Sequence, residues 1–367
     1  MNIMLFCLAK KGSGAGIIES ICIDCLDTNI QLYCIVSNQM QGLERIEGRG
    51  SNIHIIKIDS GNTKTFAYNT IKMRMKGLRK IRREIENIGF DLYLEVFGHP
   101  WGHWINKIVK TRNSATICHD PLPHKGEMLI NRFFSYYEYK KSSNLVVMTK
   151  SLADIAHKRF DKKVYYMKHG LFSCYDKTGG EVRASSTINF IFFGRIEPYK
   201  GIKYLLEAFN MFRDDEPVTL TIAGQGDMNE YRDYILRNKK IHVENEFISD
   251  ERIDSLFSQD KTILVVPYTE ATQSGVIPVA IDHLVPVIAT DTGGLKEQLN
   301  EGKIGLFCKP SDAVSLYSAM KSIVDEPEII NKEKEKMRDY RETLRWDTIL
   351  FKLINDMDSD KHIVNGR

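Results

Sequence analysis

Short apolar runs alternate with stretches of helical spacing along almost the whole chain. In the first half the runs fall at residues 2–9, 30–36, 53–57, 91–96, 115–118, 145–148 and 164–166. In the second half they fall at 188–193, 218–223, 241–244, 262–266, 287–290 and 305–308. Runs this short, bounded by Gly, Pro, Asn or Asp, read as buried strands, and strands alternating with helical patterns predict parallel sheets wound with helices. Between the halves, residues 172–186 hold Lys177, Thr178, Gly179, Gly180, Ser185 and Ser186 and little that forms a core, so they read as a linker. The expected class is α/β, with one wound domain over 1–175 and a second over 187–343. A last helical stretch begins near Trp346. The 367 residues also exceed what one core usually serves.

Ligands of such sheets bind beyond the carboxyl ends of strands, and two strand ends carry chemistry. The run Ile188–Phe193 stops at Gly194, is followed by Arg195 and Lys200, and leads into Tyr204, Leu205, Leu206, Ala208 and Phe209 at helical spacing. Strand, basic turn and helix place fixed positive charge where a phosphate can sit. Charge-assisted hydrogen bonds contribute roughly 1.5–3 kcal/mol each, against roughly 0.3–1 kcal/mol for a helix N-terminus, so the two side chains dominate. The competing reading is a solvated surface turn. The second strand end, after Leu264–Pro267, opens Glu270-Ala271-Thr272-Gln273-Ser274-Gly275, then an apolar helix from Val276 to about His283, a strand at Pro286–Thr290 and a Gly293-Gly294 turn. Small-residue turns that open helices form anion-binding nests.

Together these two segments resemble the C-terminal half of the retaining glycosyltransferases of family 4, which have the GT-B fold of two Rossmann-like domains facing across a cleft. In that family a G-R-x4-K-G turn supplies Arg and Lys to the donor diphosphate. The strand, turn and helix before P-V-I-A-T-x-x-G-G-x-x-E hold phosphates, ribose and sugar. Upstream, TICHDPLPH at 116–124, NLVVMTK at 144–150, MKHGLF at 167–172 and the KKGSGAG loop after the first strand are similar to further family landmarks. The resemblance implies that residues 344–367 pack back on the N-terminal domain.

One departure from the family pattern stands out. The usual turn has two glutamates, and their places are taken here by Ala271 and Val279, with Glu270 one residue early. A branch of the family common in bacterial surface-polysaccharide pathways has A-T-Q-S-G-V at this point, as residues 271–276 do. Glu270 therefore faces the sugar or simply caps the turn.

The remaining composition narrows the class. Hydrophobic content of 43% and charged content of 27% are those of an ordinary globular protein. No apolar run approaches the ~18–20 residues that span a bilayer, and the start MNIMLFCLAKKG reads as a buried strand rather than a signal peptide. Seven scattered cysteines point to reduced thiols and a cytoplasmic protein, with Cys22 and Cys25 as buried thiols rather than a metal pair. A net charge of +3 makes no case for nucleic acid. Residues 72–83, KMRMKGLRKIRR, nevertheless hold seven Lys/Arg without an acid. They read either as a solvated helix face or as a peripheral contact with anionic lipid on the inner membrane face.

Taken residue by residue, the resemblance implies a retaining, metal-independent transferase of the hexosyltransferase class acting in surface-polysaccharide synthesis, with no cofactor beyond its donor. Sugar would pass from a nucleotide-diphosphate sugar, UDP favoured over GDP, to a glycan or lipid-linked acceptor. Arg195 and Lys200 would stabilise the leaving diphosphate, His119 would orient the sugar, and Glu270 keeps its two roles. Gly14, Gly194, Gly224, Thr272, Gln273, Ser274, Gly275 and Val276 would line the donor, with the turn amides near Ser274 and Gly275 sharing the phosphate. Asp120 would face the acceptor; the HPWGH loop of residues 99–103, read from its own residues, either lines the acceptor side with His99 and with Trp101 or Trp104 stacking on a sugar, or is an ordinary buried loop. His169 lies near the phosphates or caps a turn. Two rivals are a nucleotide-sugar 2-epimerase and a catalytically degenerate binding subunit or scaffold.

Overall fold

The computed structural model describes residues 1–61, 65–121, 136–175 and 186–362. The chain divides into two compact units, Met1–Cys174 with Leu344–Arg367, and Tyr175–Thr343. Most of the expected linker, 176–185, and residues 122–124 of the TICHDPLPH segment lie outside the described residues.

The first unit is built on seven strands: β1 (Asn2–Cys7), β2 (Gln31–Ser37), β3 (Ile53–Ile58), β4 (Phe90–Glu95), β5 (Thr111–Ile117), β6 (Leu145–Val147) and β7 (Val164–Tyr166). They form one sheet in the order β3-β2-β1-β4-β5-β6-β7, and every pairing is parallel. Helices cover both faces of such a sheet, so the strands are buried runs rather than alternating ones; β1 from Ile3 to Cys7 is wholly inaccessible. The strand order reverses between β1 and β4.

The second unit repeats the plan with β8 (Ile188–Phe193), β9 (Val218–Ala223), β10 (Ile241–Glu244), β11 (Thr262–Val266), β12 (Val287–Thr290) and β13 (Leu306–Cys308). The order is β10-β9-β8-β11-β12-β13, again all parallel. Here the order reverses between β8 and β11. The α/β class and both wound sheets are those expected from the alternation.

Some boundaries moved. β5 begins at Thr111, not Ala115, because Thr111 and Asn113 pair in register with Phe90 and Leu92 of β4. Polar Arg112, Asn113 and Ser114 hide that extension from a search for apolar runs. The apolar start of the chain leaves the sheet at Cys7, and a helix begins at Ser13.

The final helix, Trp346–Asp358, belongs to the first unit. Its buried face is Trp346, Ile349, Leu350, Leu353, Ile354 and Met357, an i, i+3, i+4 stripe. The Trp346 indole N–H donates to the Leu171 carbonyl at 2.8 Å and its backbone N–H to Asp24 Oδ2 at 2.8 Å. The second bond satisfies a donor that the helix cannot satisfy itself. All seven cysteines are buried and unbridged.

Candidate active site

In the second unit the two chemical segments meet at the reversal point. β8 and β11 are neighbours, so the turn after Phe193 and the turn after Val266 emerge side by side, where ligands of open parallel sheets bind. Backbone bonds tie the turns together. Thr269 N–H donates to the Tyr199 carbonyl at 2.9 Å, and its hydroxyl reaches the same oxygen at 3.2 Å. Gly201, with φ +70°, lies so close to the second turn that a Cβ would stand 1.9 Å from the Pro267 carbonyl oxygen. Only a residue without a Cβ fits both that backbone region and that approach.

Arg195 is exposed and Lys200 half-buried. The Lys200 ammonium donates to the Tyr268 hydroxyl at 2.6 Å and lies 3.8 Å from the centre of the same ring. Burial pushes Lys200 down to about 8, and the neighbouring Arg195 adds to the effect; Tyr199 and Glu197 oppose it. The Tyr268 hydroxyl lies 3.2 Å from Ser274 Oγ. Ser274 is in turn clamped by one side chain, its N–H donating to Gln298 Oε1 at 2.7 Å while Gln298 Nε2 donates to its carbonyl at 3.1 Å. Thr290 Oγ1 donates to the Tyr268 carbonyl at 2.6 Å.

These bonds correct one expectation. Ser274 is 1% exposed and its amide is taken by Gln298, so it shapes the turn rather than meeting a phosphate. Gly275, next to it, is exposed, and a Cβ built there meets nothing within 4 Å. Val276 and Ile277 begin the helix that follows, and first-turn amides have no partner within their own helix. Thr272 and Gln273 are half-buried and Glu270 is exposed on the turn.

Gly194 and Gly224 end β8 and β9 and touch. A Cβ on Gly224 would stand 1.9 Å from the Gly194 carbonyl oxygen, and Gly194 N–H donates to the Ala223 carbonyl at 3.0 Å. Gly224 is thus required by strand packing whatever binds near it. The Gly293-Gly294 turn is held against the second turn, where a Cβ on Gly293 would stand 1.5 Å from the Ala271 oxygen.

In the first unit, His119 follows β5, stacks on Phe97 with ring centres 3.9 Å apart, and has Nε2 2.8 Å from the Val96 carbonyl. Burial lowers its basicity. A ring that donates to a carbonyl and is held neutral is oriented. Asp120 is half-buried beside it.

The HPWGH loop follows β4, on the opposite side of the sheet's reversal point from β1. Trp101 is wholly buried: Phe66 stacks on it at 6.0 Å, and its N–H donates to Thr70 Oγ1 at 3.1 Å. It cannot offer a face to a sugar, so its place among the acceptor-side residues is withdrawn. His99 is half-buried, edge-on to Trp101, and burial pushes it down to about 4. Gly14 is also buried, with Ala9 and Phe97 where a Cβ would go. The open position of that loop is Gly12, at φ +76° with nothing within 4 Å. His169 is buried and donates to the Gly170 carbonyl at 2.8 Å.

Tyr268 and Gln298 carried no signal in the sequence. Tyr268 follows the strand expected at Leu264–Pro267 with no motif of its own, and Gln298 meets Ser274 only through the fold. Among the described residues, no group of three or more His, Cys, Asp or Glu is placed to hold a metal.

Comparison with known proteins agrees with this geometry. Residues 181–343 match the family described as glycosyl transferases group 1. An uncharacterized glycosyltransferase of Methanocaldococcus jannaschii is 23% identical over 85% of this chain and 90% of its own length. Among solved structures, Anabaena HepE in complex with UDP-glucose is similar at 15% identity and a TM-score of 0.69, over 98% of this chain and all of that one. WaaG, a glycosyltransferase involved in lipopolysaccharide biosynthesis, gives 11% identity and a TM-score of 0.63 over the full length of both. With its two wound parallel sheets the chain has the fold of the GT-B glycosyltransferases; its residues 181–343 match the glycosyl transferases group 1 family, and it is a glycosyltransferase.

Proposed function

We propose that the protein is a retaining glycosyltransferase that takes its sugar from a nucleotide-diphosphate sugar, UDP favoured over GDP, and places it on a glycan or lipid-linked acceptor in surface-polysaccharide synthesis. The carrying observation is the pair Arg195 and Lys200 at the β8 end, tied to the turn that opens the helix at Val276. HepE, similar in fold, is a structure with UDP-glucose bound. Breaking a sugar–phosphate bond builds negative charge on the leaving diphosphate, and preorganised cations stabilise that charge where it develops. In this reading Arg195 and Lys200 take the diphosphate and the amides after Ser274 assist. The acceptor oxygen attacks from the face the diphosphate leaves, and its proton passes to a phosphate oxygen.

The basic segment supports a lipid-associated acceptor. The chain is helical over Phe66–Lys72, widens over Met73–Gly77 and continues over Leu78–Ile85. Met73, Ile81 and Ile85 are buried, whereas Tyr68, Ile71 and Met75 are 61–68% exposed among the exposed cations. Apolar side chains at i, i+3 and i+7 amid cations suit an anionic lipid surface.

Melting of the pure protein with UDP, GDP and ADP tests the donor reading. A ligand that binds only the folded state must raise the melting point. The expected result is stabilisation by UDP, lost in Arg195→Ala. No shift with any nucleotide would sink the donor reading.

A further inference from the structure

Lys200 does not stand alone in the basic turn. Its ammonium meets the face of Tyr268 and donates to the phenol oxygen, and the phenol meets Ser274 Oγ, whose own peptide is gripped on both sides by the Gln298 amide. The series therefore runs from the first turn, through β11, to the Ser274-Gly275 turn and the helix Leu295–Gln298. Tyr268 is 1% exposed and Gln298 8%. Burial at that level has a cost unless each polar atom is paired, and here each one named is.

We propose that Tyr268 is a positioning residue for Lys200, holding the ammonium over the ring and aimed at the donor diphosphate, with Gln298 and Ser274 fixing the phenol. This rests on the donor reading above. A lysine stem has four rotatable bonds and a point charge with no directional fork, so something must fix where the charge sits. The ring supplies attraction to a cation, and the phenol oxygen supplies one acceptor. The neighbouring Tyr199 also hydrogen-bonds the ammonium, which leaves a third hydrogen for a ligand oxygen. The phenol oxygen that accepts from Lys200 is also hydrogen-bonded to Ser274 Oγ at 3.2 Å, and a connected chain of this kind strengthens each of its bonds.

The role differs from mere packing in one measurable respect. Arg195, Glu197, Tyr199 and Tyr268 are the charged and titratable groups that face the Lys200 ammonium. Diphosphate binding by this site should weaken as Lys200 loses its proton, giving an alkaline limb centred near pH 8. Removing the phenol oxygen takes away an acceptor of the charged form, so the limb must move to lower pH. Loss of packing would weaken binding equally at all pH values.

Calorimetric titration of UDP into wild type, Tyr268→Phe and Ser274→Ala between pH 6 and 9.5 decides the matter, with melting points checking that each variant is folded. The expected result is about tenfold weaker binding for Tyr268→Phe at pH 7.5, the usual loss of a charge-assisted bond. Its alkaline limb should be displaced downward, with a smaller displacement in the same direction for Ser274→Ala. A limb that stays where wild type has it would overturn the positioning role and leave the donor reading standing. Wild type that binds neither UDP nor GDP at any pH would overturn the donor reading itself.

Discussion

Gly201 approaches Pro267 so closely that any side chain would strike the Pro267 carbonyl, with 1.9 Å left between that oxygen and an added Cβ. This single contact brings the basic turn onto the turn after β11. Gly201→Ala must move one of the two backbones and strain φ +70°. We expect a loss of about 1–3 kcal/mol in denaturant titrations, with UDP binding weakened beyond detection because the two turns separate. An alanine variant of wild-type stability and affinity would show that the contact is dispensable.

Both wound sheets were legible in the sequence. Among the described residues all thirteen strands overlap runs read from the sequence, most plainly the central ones, since strands buried on both faces leave no polar alternation to confuse. Arg195 and Lys200 stood out because charge follows a strand and Gly directly. Tyr268 and Gln298 did not, because their roles come from pairs brought together across 68 and 24 residues. Trp101 misled for a related reason. An aromatic between Pro and Gly looks ligand-facing, but the helix bearing Phe66 and Thr70 closes over it.

A buried pair of carboxyls in the first unit predicts a pH dependence of stability. Glu95 accepts from His99 N–H at 2.7 Å and from Thr116 Oγ1 at 3.3 Å, and Glu138 Oε1 is buried with no partner among the described residues. Burial, then the proximity of Glu138, pushes Glu95 up to about 8; burial alone pushes Glu138 up to about 8. Both hold protons more tightly folded than unfolded, so their stabilising contribution is full below about 4.5 and lost as pH rises through about 8. Glu138→Gln should flatten the fall in melting point over that window. An unchanged slope would show that the pair does not titrate there.

Trp346 anchors the final helix, and Gly170 has no room for a side chain because the indole stands 2.3 Å from where its Cβ would be. Trp346→Ala removes a wholly buried ring and orphans the Leu171 carbonyl. A loss of about 3–5 kcal/mol is expected, read by denaturant unfolding. A loss under about 1 kcal/mol, the size of a surface change, would mean that the helix is not part of the first unit's core.

Charge reversal on the basic helix tests the lipid contact. Lys76→Glu with Lys80→Glu should release the protein from vesicles containing anionic phospholipid, since each cation near such a surface contributes about 1 kcal/mol. Cosedimentation equal to wild type, or none by wild type, would remove the membrane from the account.

The central claim is that the donor diphosphate is held by the turns that follow β8 and β11. Amide hydrogen exchange with and without saturating UDP reads those turns directly. The account predicts slowed exchange at residues 194–201 and 269–277, lost in Arg195→Ala. UDP that binds yet leaves both segments unprotected would contradict it.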